Sequence, residues 1–566
     1  MTKIDLPREK QVGHLTLLRT ARSISSKEFN ALTFAERLSM IGGAVGRQKY
    51  QLLVEAEDAE DLVRRLPAQE VYLLIKELGL PDVPELLCAA DAGQFTTFLD
   101  LDCWREDVFD ARTAAEWLAV LFEGGDEKVL ETVHQLDFGL LVLILKKQID
   151  VLSTPGDADD EDSRSAAAQH NAGYELAYRD AETGKLFAAL LEFLQRQDPA
   201  MFNRLLEAVR WEQETLLEEE NYQERRIRLE SLGFPDPFES LAIYSRLDPS
   251  TFDPGDFRRA GTPDLPAGVA PGFVLAAAQP GGLLAEVLSA GIDIETAWEL
   301  TWLLNRVMVA DRLDISDIAR VQEAGGDVCR YLNLALEHLC GADIAQASRL
   351  FADTHLQALF RLGFSLSLDL QRRARQVSQS LIGPWLDGPF CAFIAALSRK
   401  KPRYFEGIEN ATRAGERPFG TVQELRRASE WLDRLDGQRA LFATKFPFAL
   451  PAQDSVDLTG CIPDIAEDLA LSDFFLTALG NRLLGRDFLP LPIASTELAL
   501  LHAKVCADGV VASAIRTETV QWLEQLEPGT GAFAHYCLDI WEEEFCTVPA
   551  ADIDPRYISG LIVRID

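Results

Sequence analysis

Four residues able to bind a soft metal fall in one stretch of the chain: Cys329, His338, Cys340 and His355. A structural zinc site needs four convergent nitrogen or sulfur ligands, usually supplied as close pairs. His338 and Cys340 are two residues apart, which on a helix turns them to different faces. Cys329 and Cys340 could share a face, but they are too far apart along the axis to hold one ion. Buried polar packing is therefore the expectation, and no metal site is assigned. Asp311, Asp314 and Asp317 recur every third residue and would align if a helix ran through them. Acid–base work needs two carboxylates held in a cleft with their pKa values pushed apart. Asp314 and Ser316 serve equally well as helix caps, and that is the role expected of them.

Other chemistries are absent from the pattern. Thr183-Gly184-Lys185-Leu186 contains a Gly-Lys, but Arg179 stands where the first glycine of a phosphate loop belongs. Gly42-Gly43-Ala44-Val45-Gly46 lacks the dinucleotide spacing. Both read as turns. There is no G-x-S-x-G elbow. Cys88, Cys391 and Cys537 sit in apolar surroundings, where inert packing is the usual role. No residue is assigned as catalytic or cofactor-binding, and no cofactor is expected.

The whole chain excludes several partners. Its 566 residues suggest about two to four domains. A formal charge of −35 argues against general nucleic-acid binding, which needs clustered Lys and Arg, and against adhesion to an anionic membrane surface. The basic groups Arg372-Arg373-Ala374-Arg375 and Arg399-Lys400-Lys401-Pro402-Arg403 are small and are expected to pair with acidic side chains. Nine scattered cysteines without C-x-x-C fit a reducing compartment better than a disulfide framework. Met1-Thr2-Lys3-Ile4-Asp5 is charged at once, so no secretory signal is expected. No run reaches the ~18 apolar residues of a spanning helix; the nearest, 138–145, is followed by Lys146-Lys147. The expectation is a cytoplasmic protein with no membrane insertion.

The elements that would position any site are short amphipathic helices. Val71, Leu74, Ile75 and Leu78 form one stripe after Pro67, and Gly79 ends it. The same grammar recurs at 114–122, 127–136 and 140–149. Helices this short must bury their stripes on one another. Ser25 with Glu28 forms a capping box in a basic arm that is expected to dock within the molecule. Asp159-Asp160-Glu161-Asp162 lacks the glycine and glutamate of a calcium loop, so it reads as a linker. Asp198-Pro199 starts a helix expected to run to residue 232, on the order of 50 Å. Prolines and glycines crowd 234–282. Beyond them, helices are expected at 294–309, 327–339, 344–360, 366–382, 422–435, 463–479, 495–506, 516–526 and 533–545, with a strand-like run only at 558–565.

Leu66-Pro67-Ala68-Gln69-Glu70, the Leu73-Leu74 and Glu77-Leu78 pairs, Leu136-Asp137 and Leu140-Leu141 resemble the cytosolic N-terminal helical domain of MgtE magnesium transporters. That resemblance implies a superhelix of short hairpins over about 60–150; no transport activity carries over. His502 to Val510, containing Ala507-Asp508-Gly509, resembles the Ala-Asp-Gly turn of tellurite-resistance TerB-like domains, though a plain helix–turn–helix is expected there. As a whole the chain resembles a family of uncharacterised bacterial proteins of similar length.

The resulting expectation is an all-α fold, solenoid-like stacked helical hairpins followed by helical bundles with negligible strand. Its parts are a basic arm with short helices (1–50), an MgtE-like superhelix (51–152), an acidic linker (153–172), a long-helix segment (173–233), a Pro/Gly-rich crossing (234–282), a bundle (283–415) and a C-terminal helical domain (416–566). The function expected is a scaffold or protein-interaction module with a protein partner and no nucleic acid. The alternatives are a metal-assisted or carboxylate-based enzyme in an interdomain cleft and a divalent-cation-responsive regulator. No oligomeric state is read from the sequence.

Overall fold

The computed structural model describes residues 3–12, 15–153, 169–171, 174–259, 271–272, 280–409 and 415–565. Helices dominate these residues, and strands occur only as small pairs and two three-stranded sheets. The all-α-dominant expectation is met. The chain divides into two compact units, Met1–Leu362 and Gly363–Asp566. Among the described residues no helix is long and apolar enough to cross a membrane.

In the first unit the short-helix grammar holds. Ala68–Leu78 stops at Gly79, whose φ of +99° is open to glycine and whose N–H reaches Ile75 O. Ala111–Glu123, Asp126–Gln135 and Phe138–Gln148 follow, and Asp110 and Asp137 cap the first and last. Gln94, buried in the helix Ala92–Asp102, donates to the carbonyls of Val63 and Leu66 and so ties down the end of the helix Ala59–Arg65. The Ser25–Glu28 capping box forms, but its helix is only Ser26–Asn30, and a second box at Thr33–Glu36 starts Phe34–Gly43. The basic arm docks within its own unit through Arg37 on Asp58 and buried Lys49 on Glu70.

Several expectations are corrected. The arm is not purely helical, since Lys3–Val12 and Leu15–Ser25 pair as an antiparallel hairpin. The expected linker, 153–172, contains a strand: Gln169–Asn171 pairs with Tyr174–Tyr178, as Ile149–Ser153 does on the other edge. The acidic run 159–162 lies outside the described residues. Gly184 lies inside the helix Ala181–Gln197 rather than in a turn.

The helix expected over 199–232 is two helices, Pro199–Trp211 and Glu214–Ser231. Asp198 caps the first as expected, accepting from Ala200 and Met201. Extended backbone at Glu212 and Gln213 then breaks the ladder. Lys146 Nζ takes the Val209 carbonyl at 2.5 Å, and Lys147 holds Glu214 and Glu218 at 3.0 and 2.9 Å. Two adjacent lysines of an earlier helix thus secure both sides of the break. The Glu224–Arg228 pair forms at 3.7 Å, but Arg228 is held chiefly by buried Asp100 at 2.7 and 2.9 Å.

The helix expected over 344–360 is also split, into Ile344–Asp353 and Leu356–Leu366. Here the cause is a distant backbone. Arg259 N donates to Asp353 O and His355 N to Phe257 O, both at 2.9 Å, with Arg258 and Thr354 bridged antiparallel. The crossing segment therefore wedges the helix open.

In the second unit, Val422–Ala440, Leu471–Leu483, Leu498–Val505, Ser513–Leu526 and Gly531–Trp541 carry the core. Val563–Arg564 fulfils the strand expected near 558–565 and lies between Cys461–Ile462 and Ile493–Ala494. Cys506–Ala507 and Val510–Val511 form a hairpin whose two turn residues, Asp508 and Gly509, have φ of +54° and +79°. Asp-Gly is the pair that such a tight turn prefers, so the expected helix–turn–helix carries a β-turn at its corner. Cys506 and Cys546 are joined in a disulfide, against the expectation of none; the hairpin packs beside the turn that ends the Gly531–Trp541 helix. The basic groups pair locally, Arg373 with Asp433 and Asp436 and Arg399 with Glu416.

Candidate functional site

A cleft of about 510 Å³ opens within the first unit, between the end of Glu214–Ser231, the segment that follows it, and the helix Ile294–Ala310. Asp293 caps that helix by accepting from Thr296 N. One side of it, Trp298, Leu304 and Val307 among others, is buried in the core. The side facing the cleft carries Glu295, Glu299, Trp302, Leu303 and Arg306, the spacing of a single helical stripe.

Glu299 is the most heavily engaged of these. Its Oε1 accepts from Leu356 N at 2.8 Å, the first-turn amide of a helix that has no partner within its own ladder. The same oxygen lies 3.2 Å from His355 Nδ1, and Oε2 lies 2.7 Å from Arg259 Nε. The Arg259 Nε–H is not aimed at that oxygen, so the contact is ionic rather than a well-formed hydrogen bond. Arg259 is fixed by donating to Thr296 Oγ1 at 2.6 Å and Phe351 O at 3.0 Å. A carboxylate on Nδ1 favours the tautomer that leaves Nε2 as an acceptor. His355 is more than half exposed, so that nitrogen is within reach of solvent or a ligand. This arrangement can orient a base; among the described residues no hydroxyl or thiol is hydrogen-bonded to His355 as a nucleophile would be.

Arg306 differs from Arg259. It donates to neutral Gln357 Oε1 at 2.9 Å and has no carboxylate partner among the described residues. Trp302 forms part of the wall. Its indole N–H is buried without an acceptor among the described residues. Gly233, at φ +85°, lies so close that an added Cβ would come within 2.2 Å of Trp302 Cδ1.

The residues singled out by sequence are only partly gathered here. His355 reaches the cleft, whereas Cys329 is buried in the helix Ile318–Cys340 and His338 is exposed near its end. Among the described residues no group of three or more His, Cys, Asp or Glu could hold a metal. Asp311, Asp314 and Asp317 do not share a helix face, because Ile294–Ala310 has ended before them. Asp311 accepts from Tyr244 Oη, Asp314 from Ser316, and Asp317 rather than Asp314 caps the next helix. Cys537 is buried as expected, but Cys88 is half-buried and Cys391 exposed. Glu299, Arg306 and Arg259 were missed. The available signal was the polar stripe Glu295, Glu299, Arg306 on a helix otherwise apolar enough to be read as core.

Fold and cleft together define a class: a helical, strand-poor protein with a polar cleft in its first unit. The chain belongs to a family of unknown function (DUF6178), whose model matches residues 26–564. This agrees with the whole-chain resemblance to uncharacterised proteins. No curated protein and no solved structure matches it.

Proposed function

We propose that this chain is a helical scaffold that binds a small polar molecule in the cleft beside Trp302 and a protein partner on its surface. The observation that carries the reading is Arg306: a guanidinium on a cleft wall with a neutral partner, beside an arginine whose charge is already met. Pockets that recognise ligands combine an apolar wall with a few fixed polar groups, and Trp302 and Leu303 supply the wall. The scaffold half of the proposal reads the short helices of 51–152 as a solenoid-like, MgtE-like stack, a reading that their shortness and buried stripes support. A protein partner is supported by Trp211, Leu216, Ile227 and Phe238, large apolar side chains more than half exposed on neighbouring stretches of chain. A cytoplasmic setting is part of this reading: seven of the nine cysteines are free, against the single Cys506–Cys546 disulfide, which weighs the other way.

The test is hydrogen exchange on the full chain, with and without a pool of amino acids, carboxylic acids and amines. Binding is expected to protect the peptides covering 299–306 and 355–357 in the wild type and not in Arg306→Gln. Absence of protection there by any class of compound sinks the cleft as a ligand site. Magnesium, run as a separate arm, tests the divalent-cation-responsive alternative.

The Glu299–His355 pair favours a second reading, a carboxylate-assisted enzyme in which His355 Nε2 accepts a proton from bound substrate. Under it, His355→Gln keeps ligand binding and loses turnover of the bound compound. Conversion at the wild-type rate by that variant rejects it.

A further inference from the structure

Glu295, Glu299, Trp302 and Arg306 follow one another along the cleft face of Ile294–Ala310 at steps of four, three and four residues. Helical rise puts the backbones of Glu295 and Arg306 about 16 Å apart, with Trp302 between them. The face is thus acidic at one end, aromatic in the middle and basic at the other. Glu299 is neutralised by Arg259. Arg306 meets only the neutral amide of Gln357, and neither Glu295 nor Arg306 has an ion-pair partner among the described residues. Two opposite charges therefore border one cavity, close enough to serve one ligand and too far apart to satisfy each other.

A simple anion entering this space gains Arg306 but meets Glu295 and the rim carboxylates Glu230 and Glu239. A simple cation leaves Arg306 uncompensated. A molecule bearing both charges removes both penalties at once, since each charge loses its hydration only where an opposite charge replaces it. We infer that the cleft takes an elongated zwitterion, with a carboxylate at Arg306, an ammonium at Glu295 and an apolar chain across Trp302. This is the chemistry of an ω-amino acid or of a lysine-like chain. A guanidinium grips a carboxylate through two parallel N–H bonds, which fixes the direction in which the ligand lies. The inference rests on the reading of the cleft as a ligand site.

Calorimetry on the full chain at low salt with 6-aminohexanoate, hexanoate and hexylamine tests it. The zwitterion is expected to bind at least tenfold more tightly than either singly charged analogue. Arg306→Gln and Glu295→Gln are each expected to reduce it to their level, with circular dichroism unchanged. Hexanoate or hexylamine binding as tightly as the zwitterion overturns the inference while leaving the cleft a ligand site. No heat from any of the three in the wild type also overturns it, and the exchange experiment with the wider pool then decides separately whether the cleft binds ligands at all. Because the wild-type comparison stands alone, a misfolded variant does not rescue the inference.

Discussion

Gln69 and Asn305 exchange two amide hydrogen bonds across 236 residues of sequence: Gln69 Nε2 donates to Asn305 Oδ1 at 2.7 Å, and Asn305 Nδ2 donates to Gln69 Oε1 at 3.0 Å. Asn305 Nδ2 also donates to Leu232 O at 2.8 Å, next to the glycine that faces Trp302. Both side chains are buried. The pair therefore joins the short-helix stack to the helix that lines the cleft. Asn305→Leu strands the Gln69 amide and the Leu232 carbonyl, and is expected to cost about 2–4 kcal/mol in urea unfolding. Adding Gln69→Leu should recover part of that loss, because neither member is then left unpaired. A double mutant no better than the sum of the singles rules out the coupling.

Gly233→Ala is expected to damage both stability and the cleft. The added methyl meets the Trp302 ring at a backbone φ that alanine resists. A loss of about 1–3 kcal/mol and a changed Trp fluorescence spectrum are the expected readouts. An unaltered spectrum together with full stability would show that the wall is looser than described.

Lys49 and Glu70 are buried opposite one another, and Glu70 Oε2 also accepts from Gly272 N at 3.0 Å. Lys49→Met leaves that carboxylate with one neutral donor. The expected cost is about 3–5 kcal/mol, with Lys49→Met/Glu70→Leu losing less than Lys49→Met alone. Thermal unfolding of the three proteins checks the order.

In the second unit Asp387 is almost fully buried, with Oδ1 on Ser472 Oγ at 2.5 Å and Oδ2 without a partner among the described residues. Burial, with a smaller push from nearby Asp473, raises its carboxyl to about 7. The folded state then holds a proton that the unfolded chain releases near pH 4. Stability from this group is complete below that range and is lost as pH rises through 7. Asp387→Asn keeps the neutral form at every pH. The variant should gain on the wild type between pH 5 and 8, by on the order of 2 kcal/mol. A stability difference independent of pH contradicts the assignment.

Local signals carried the helix ends well. Asp198-Pro199, Gly79 and the Ser25–Glu28 box act within a single turn, so nearby residues suffice to read them. The two split helices were hidden for the opposite reason. Lys146 and Lys147 lie more than sixty residues from the break they secure, and the amide of His355 is claimed by a carbonyl in the crossing segment. Periodicity continues through both breaks because the stripe on each side still faces a core. The cleft was hidden differently. Glu295, Glu299 and Arg306 look like the solvated side of an amphipathic helix until Gly233, Arg259 and His355 are brought against them. Of the cleft residues only His355 stands out in the sequence, through its nearness to Cys329, His338 and Cys340.

The wedge formed by Phe257, Arg258 and Arg259 between Asp353 and His355 has one more consequence. It brings Arg259 onto Glu299 by the same backbone contacts that open the helix, so the floor and the rim of the cleft are drawn from stretches far apart in the polypeptide. All of that lining falls between Glu230 and Gln357, in the second half of the first unit. Breaking the Arg258–Thr354 bridge would therefore disturb the split in the helix and the Glu299 wall of the cleft in one event.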